Sequence, residues 1–231
     1  MIATETLKNA PDFLSDQCAL AASLLSRSDI EGARKVLAPL VGAGDIDAVI
    51  LAAKVEAADG RYAEGLGLLN QFVPRIDAGS NRQRGWFHMT RGALYKDAAA
   101  GNPDLIDRAF IEFQAGIDYQ LRTDEQREEA GCALNNLALL KARFGRFDEA
   151  HDLFDQARAL FADKPVKAAE VNLSTAEVLI GEKRFYEAEG FALEAMQTFR
   201  RFDEPRLLRK ARRAMNLASA SVMRAEVAGE G

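Results

Sequence analysis

Proline, cysteine and histidine are all scarce in this chain, and each scarcity removes a class of protein. Six prolines in 231 residues leave long stretches in which helices can run unbroken. Val, Ile and Thr never gather into alternating runs, so strands have little to form from. The two cysteines, Cys18 and Cys132, stand far apart without metal-ligand spacing and read as small packing residues of a reduced compartment. No apolar run approaches the roughly 18 residues that span a membrane. The opening MIATETLKNAPDF has neither the basic nor the apolar region of a secretory signal. A cytoplasmic protein with no membrane association is expected. The net charge of -5 argues against general nucleic-acid binding, for which a basic surface supplies most of the affinity.

What is present favours helices. Hydrophobic residues make up 48% of the chain and charged residues 28%, too apolar a balance for disorder. Alanine is abundant, and Ala, Leu, Glu and Arg are strong helix formers. The fold class is all-α, and the length admits either two domains or one elongated repeat domain.

The most informative segment is LNNLALLKARFGRFDEAHDLFDQARALF, Leu134 to Phe161. Leu134, Leu137, Ala138 and Lys141 recur at helical spacing before Gly145, with only the alkyl stem of Lys141 suited to packing; Ala150, Phe154 and Ala157 recur after it. Gly145 suits the left-handed conformation that closes a helix. Ala138 and Ala150 are small enough for two helices to approach closely, with Phe147 wedged between them. Counting from Gly131 as position 1, positions 8, 15, 17, 20, 24 and 27 hold Ala138, Gly145, Phe147, Ala150, Phe154 and Ala157. The segment thereby resembles the tetratricopeptide repeat, a helix–turn–helix unit.

The pattern recurs. Ala176, Phe185, Ala188 and Ala195 repeat it downstream; Ala53, Gly60, Tyr62, Gly65 and Leu69 repeat it upstream. Gly92 and Tyr95, then Ala109, Phe113 and Gly116, mark a repeat with an insertion of about five residues by the same register count. The first repeat has Ala21, Ile30, Ala33 and Leu37, with Ser28 in place of the turn glycine. The expected repeats are 12–45, 46–79, 81–121, 124–163 and 166–202, within a single domain 1–231. Residues 205–224 form an amphipathic helix through Leu207, Ala211, Met215, Ala218 and Val222, which resembles the capping helix that ends such arrays. Ser80 with Gln83 and Thr123 with Gln126 read as capping boxes. Asn102-Pro103 reads as an N-cap and first-turn proline. The resemblance implies a right-handed superhelix of antiparallel helix pairs, because one pair alone cannot bury both faces.

An enzyme needs a nucleophile, an acid–base pair or a metal cluster, and none assembles in this sequence. His88 falls on the packed face of its helix and His151 on an exposed flank, where solvation is expected. Neither has a second ligand at metal spacing. Paired acidic residues such as Glu128 and Glu129 read as solvated helix surface. No glycine-rich phosphate loop occurs. No catalytic residue, cofactor or metal is expected.

A binding role has more support. The resemblance implies that the first helix of each repeat lines a concave groove at positions 2, 5, 6, 9, 12 and 13. In the fourth repeat these are Cys132, Asn135, Asn136, Leu139, Ala142 and Arg143. An asparagine amide can both donate and accept, which suits an extended peptide backbone. The run LNNLALL resembles the kinesin-light-chain type of repeat, in which asparagines here contact bound peptides. The groove candidates are Asn135, Asn136, Leu139, Arg143, Trp86, Met89, Lys96 and Ser174, with Asp47, Ile50, Leu51, Lys54, Glu170, Leu173, Glu177 and Ile180 at equivalent positions. Trp86 is either a partner anchor or a cover for the joint with the second repeat. The chaperone-type carboxylate clamp is not retained: its positions hold Met89, Ala93, Asn136, Glu170 and Ser174.

The segment Arg200–Arg213 carries Arg200, Arg201, Arg206, Arg209, Lys210, Arg212 and Arg213 against Asp203 and Glu204. It is either the solvated face of the capping helix or, through Arg206, Arg209, Lys210, Arg212 and Arg213, a patch for an acidic partner or nucleic acid. The expected function is an adaptor that holds a peptide of another protein. A peptide-responsive regulator, nucleic-acid binding and self-association are the alternatives.

Overall fold

The computed structural model describes residues 15–100 and 102–228, with side chains in the last helix as far as Arg224. The expected first three residues of repeat one lie outside these. Among the described residues there are eleven α-helices, one short 3-10 turn and no strand. Two compact units divide between Asp124 and Glu125.

The N-terminal unit holds α1 (Asp16–Ser26), α2 (Ile30–Ala43), α3 (Ile46–Ala58), α4 (Tyr62–Ile76), α5 (Asn81–Ala98) and α6 (Pro103–Gln120). Each odd-numbered helix packs on the helix after it, and α3 also packs on both α1 and α5. The C-terminal unit holds α7 (Arg127–Arg143), α8 (Phe147–Leu160), α9 (Pro165–Gly181), α10 (Phe185–Arg201) and α11 (Pro205–Ala228). Here α7 packs on α8, α9 on α10, and α11 covers α10 and α9. This is a stack of antiparallel helix pairs closed by a capping helix.

The anchors Ile30, Tyr62, Phe147 and Phe185 are each the first residue of a second helix. What places them there is the turn before. Ser28, Gly60, Gly145 and Lys183 all adopt left-handed backbone, with φ of 64°, 75°, 74° and 64°. Their N–H groups donate to the carbonyls of Leu25, Ala57, Ala142 and Ile180 three residues back. The following N–H groups donate five residues back, to Leu24, Glu56, Lys141 and Leu179. Both bonds satisfy carbonyls that a helix end leaves bare. Serine and lysine accept the same conformation that glycine adopts without strain.

The small residues of the repeat pattern lie at the helix crossings. Ala21, Ala33, Ala53, Ala109, Ala138, Ala150, Ala157, Ala176, Ala188 and Ala195 are fully buried. Four helical glycines allow still closer approach. A Cβ at Gly92 would meet the Phe113 ring at 2.8 Å, at Gly116 the Met89 side chain at 2.8 Å, and at Gly131 the Phe161 ring at 2.5 Å. At Gly65 it would meet the Ala53 carbonyl and Leu94, each at 3.0 Å.

Two local expectations change. The Ser80–Gln83 capping box and the Asn102–Pro103 start form as expected. The Thr123–Gln126 pair does not open an α-helix: a 3-10 turn spans Asp124–Gln126, and α7 begins at Arg127 without a side-chain cap bond from Gln126. Ile106, at the corresponding repeat position of the third pair, lies one turn inside α6, whose start at Asn102-Pro103 is the expected one. The last helix continues to Ala228, four residues past its expected end.

Ion pairs tie neighbouring repeats. Arg34 of α2 holds buried Glu56 of α3 at 2.8 Å and Asp59 at 2.7 Å, and Arg61 joins Glu56 at 2.5 Å. In the C-terminal unit, His151 of α8 makes the corresponding reach to Glu182, with Nε2 2.6 Å from Oε1 and Arg184 alongside. The expectation that His151 is solvated is therefore corrected. Glu128 is likewise paired, with Lys164.

Candidate functional site

Three of the eight groove candidates belong to the N-terminal unit. Trp86 of α5 is half-buried, leaning on the cores formed by α1, α2 and α3 and by α3 and α4. Lys54 of α3 lies over its ring, Nζ 4.8 Å from the centroid. Met89 turns toward α6, where it occupies the space above Gly116. Lys96 pairs with Asp97 at 2.8 Å. At the equivalent positions of α3, Ile50 and Leu51 are fully buried and belong to the core, whereas Asp47 and Lys54 keep accessible surface. Gln83 donates to Asp47 at 3.3 Å.

The other five candidates belong to the C-terminal unit. Asn136 and Arg143 of α7 are exposed, and Leu139 and Asn135 are half-buried. The Asn135 Oδ1 atom is out of contact with solvent and has no hydrogen-bond partner among the described residues. Native proteins rarely leave such an acceptor unpaired. On α9, Ser174 is half-buried and donates its hydroxyl to the Glu170 carbonyl at 3.2 Å, while Leu173 packs in the core. Glu177 is exposed and faces Lys210 of α11.

Electrostatics separates these positions from the rest of the surface. Among the described residues, burial pushes up the Cys18 and Cys132 thiols and the Asp47 and Glu177 carboxyls. It pushes the Lys54 ammonium down to about 8. In every case burial disfavours the charged form. All five occupy position 2, 5 or 9 of a first helix. Cys18 is sealed in the core, but Asp47, Lys54, Cys132 and Glu177 remain partly accessible. Groups elsewhere shift for another reason: Arg34, Arg146 and Arg184 hold Asp59, Glu149 and Glu187 below the usual carboxylate range through hydrogen bonds.

The basic segment is exposed throughout, from Arg200 and Arg201 to Arg206, Arg209, Lys210, Arg212 and Arg213. Among the described residues, no carboxylate lies within ion-pair distance of Arg209, Arg212 or Arg213. Phe202, half-exposed at the turn, lies under the Arg201 guanidinium at 5.6 Å. The apolar edge of α11 packs Ala211, Ala214, Ala218 and Val222 inward. His88 has a packing role: Nδ1 lies 2.9 Å from Glu112, and the ring stacks on Tyr119 at 5.5 Å. Among the described residues no group of three His, Cys, Asp or Glu side chains could hold a metal ion, and no helix is long and apolar enough to cross a membrane.

Solved structures share this architecture. A Podosopora anserina kinesin light chain with nearly identical TPR-like repeats superposes with a TM-score of 0.66 at 16% identity, over 81% of this chain and 95% of that one. BtubC (BKLC) from P. vanneervenii superposes with a TM-score of 0.55 at 19% identity, over 93% of this chain and 91% of that one. No family model and no curated protein matches the chain. The fold is that of the tetratricopeptide-like helical-repeat proteins.

Proposed function

We propose that the chain is a non-enzymatic adaptor that holds an extended peptide of a partner protein against the inner, first-helix face of its repeats. The observation that carries this reading is the coincidence of desolvation with access. Asp47 and Lys54 in the N-terminal unit, and Cys132 and Glu177 in the C-terminal unit, have lost hydration yet keep accessible surface, as partly enclosed binding side chains do. The half-buried Asn135 and exposed Asn136 side chains lie on first-helix surface of the same kind, and the open Asn136 amide suits the N–H and C=O groups of a peptide. The kinesin-light-chain neighbours fit the resemblance of LNNLALL to that type of repeat.

The experiment is to identify the co-purifying partner, then measure its affinity for the protein and for the Asn135→Ala/Asn136→Ala variant by calorimetry. Loss of two backbone-type hydrogen bonds should weaken binding by about 1–3 kcal/mol. Unchanged affinity would remove the groove from the account.

A second reading is favoured by one observation: Arg209, Arg212 and Arg213 of α11 are exposed, and no carboxylate among the described residues engages them. In it, Arg206, Arg209, Lys210, Arg212 and Arg213 receive an acidic partner. Substituting Arg209, Arg212 and Arg213 by Ala should then abolish salt-dependent association, while the asparagine variant leaves it intact.

A further inference from the structure

One cation in the N-terminal unit is desolvated without a carboxylate beside it. Arg34, Arg91 and Lys96 each hold a carboxylate, at 2.8, 3.1 and 2.8 Å. Lys54 holds none among the described residues. Its ammonium rests on the face of Trp86, a contact that offsets only part of the hydration it has lost. Asp47, on the same helix, lies seven residues away, about two turns, and is engaged by Gln83. No charged neighbour contributes to the Lys54 environment; burial alone lowers its pKa. Yet the residue keeps accessible surface, so an anion arriving from solvent can reach it.

The position on the fold narrows what that anion is. Helix α3 is the middle first helix of its unit, packed between α1 and α5. A peptide crossing α3 has first-helix surface ahead of it and behind it, so the chain runs on past Lys54 in both directions. A terminal carboxylate would end there and would need several donors, whereas a side chain from within the segment needs one cation. We propose that Lys54, supported by Trp86, receives an aspartate or glutamate side chain from the interior of an extended segment of the partner protein. This rests on the inner-face reading above and adds to it the charge of the ligand and its place.

Peptide display on the intact protein tests it. Random peptides are displayed in two formats, closed into a carrier loop and ending in a free C-terminus. Each is selected on the protein, on Lys54→Met and on Lys54→Glu. The loop-format winners on the unmodified protein should carry Asp or Glu at one fixed position. They should lose about tenfold in affinity for Lys54→Met, the size of one charge-assisted hydrogen bond. On Lys54→Glu the fixed position should become Lys or Arg. Trp86 is the only tryptophan, so its emission should respond to winners on the unmodified protein. Lys54→Met removes a desolvated charge and should fold, which circular dichroism checks.

The proposal is overturned if winners show no acidic preference, if acidic winners bind Lys54→Met equally well, or if the preference appears only with a free C-terminus. Winners without acidic preference that still weaken on Asn135→Ala/Asn136→Ala would overturn this inference and leave the groove reading standing. No winners in either format would overturn both.

Discussion

Left-handed residues close the first helix of four repeats, and only some of them announce themselves in the sequence. Gly60 and Gly145 were legible as turn residues because glycine is the default at positive φ. Ser28 was placed at the turn by register alone and Lys183 was not singled out, since neither residue type signals a left-handed conformation, although both make the same pair of back-reaching hydrogen bonds. Lys183→Gly should therefore stabilise the protein by about 0.5–1 kcal/mol, and Gly145→Ala should destabilise it by about 1 kcal/mol or more, both read from chemical denaturation. A Cβ at Gly145 meets no atom within 4 Å, so the cost there is conformational rather than steric. Lys54 makes a separate prediction. Its pKa in the folded chain, about 8, lies below the ordinary lysine value of 10.5. The unfolded chain thus holds the proton more tightly, and the penalty is complete below pH 8. Stability should rise between about pH 8 and 10.5 as the penalty disappears. The full span is at most about 3 kcal/mol. Lys54→Met should be the more stable protein at pH 7, and its advantage should vanish across that window. The position of Lys54 followed from repeat register; its missing ion partner and its indole support depend on tertiary packing and could not.

At the scale of helices, small residues matter by what lies opposite them. Gly131 and Gly190 are both helical, and helix propensity alone favours alanine at each. They should nevertheless respond in opposite directions. Nothing lies within 4 Å of a Cβ at Gly190, so Gly190→Ala should raise stability by about 0.5–1 kcal/mol. At Gly131 the same atom would meet the buried Phe161 ring at 2.5 Å, so Gly131→Ala should lower stability by about 1–3 kcal/mol. Thermal melts of the two variants provide the check. Helix α3 shows why the candidate surface was only partly legible. It packs against α1, α4 and α5 together with α2, which buries Ile50 and Leu51 and leaves Asp47 and Lys54 open. A helix enclosed on so many sides has an apolar pattern nearly all round, and repeat position alone does not separate core from surface. Helices α4, α8 and α10 face solvent along one side, and their patterns read cleanly.

At the scale of the molecule, helix pairs were legible because small residues recur in register, in four of the five pairs with a turn before the first residue of the second helix. The C-terminal unit was the clearest, with six matching positions from Ala138 to Ala157, all but the exposed turn Gly145 and the half-buried Phe147 fully buried. The position of α11 was also legible, since its buried edge of Ala211, Ala218 and Val222 keeps helical spacing. A function that resides in the shape between helices leaves a weaker trace, because its residues need only be reachable and unpaired. The central claim is that a partner peptide lies on the first helices. It is tested most directly by photo-crosslinking in the intact protein, with benzoylphenylalanine placed at Asn136 or Leu139 of α7 and, separately, at the exposed Asp152 or Gln156 of α8. Adducts with the co-purifying partner should form from the α7 positions and not from those of α8; adducts confined to α8 would contradict the account.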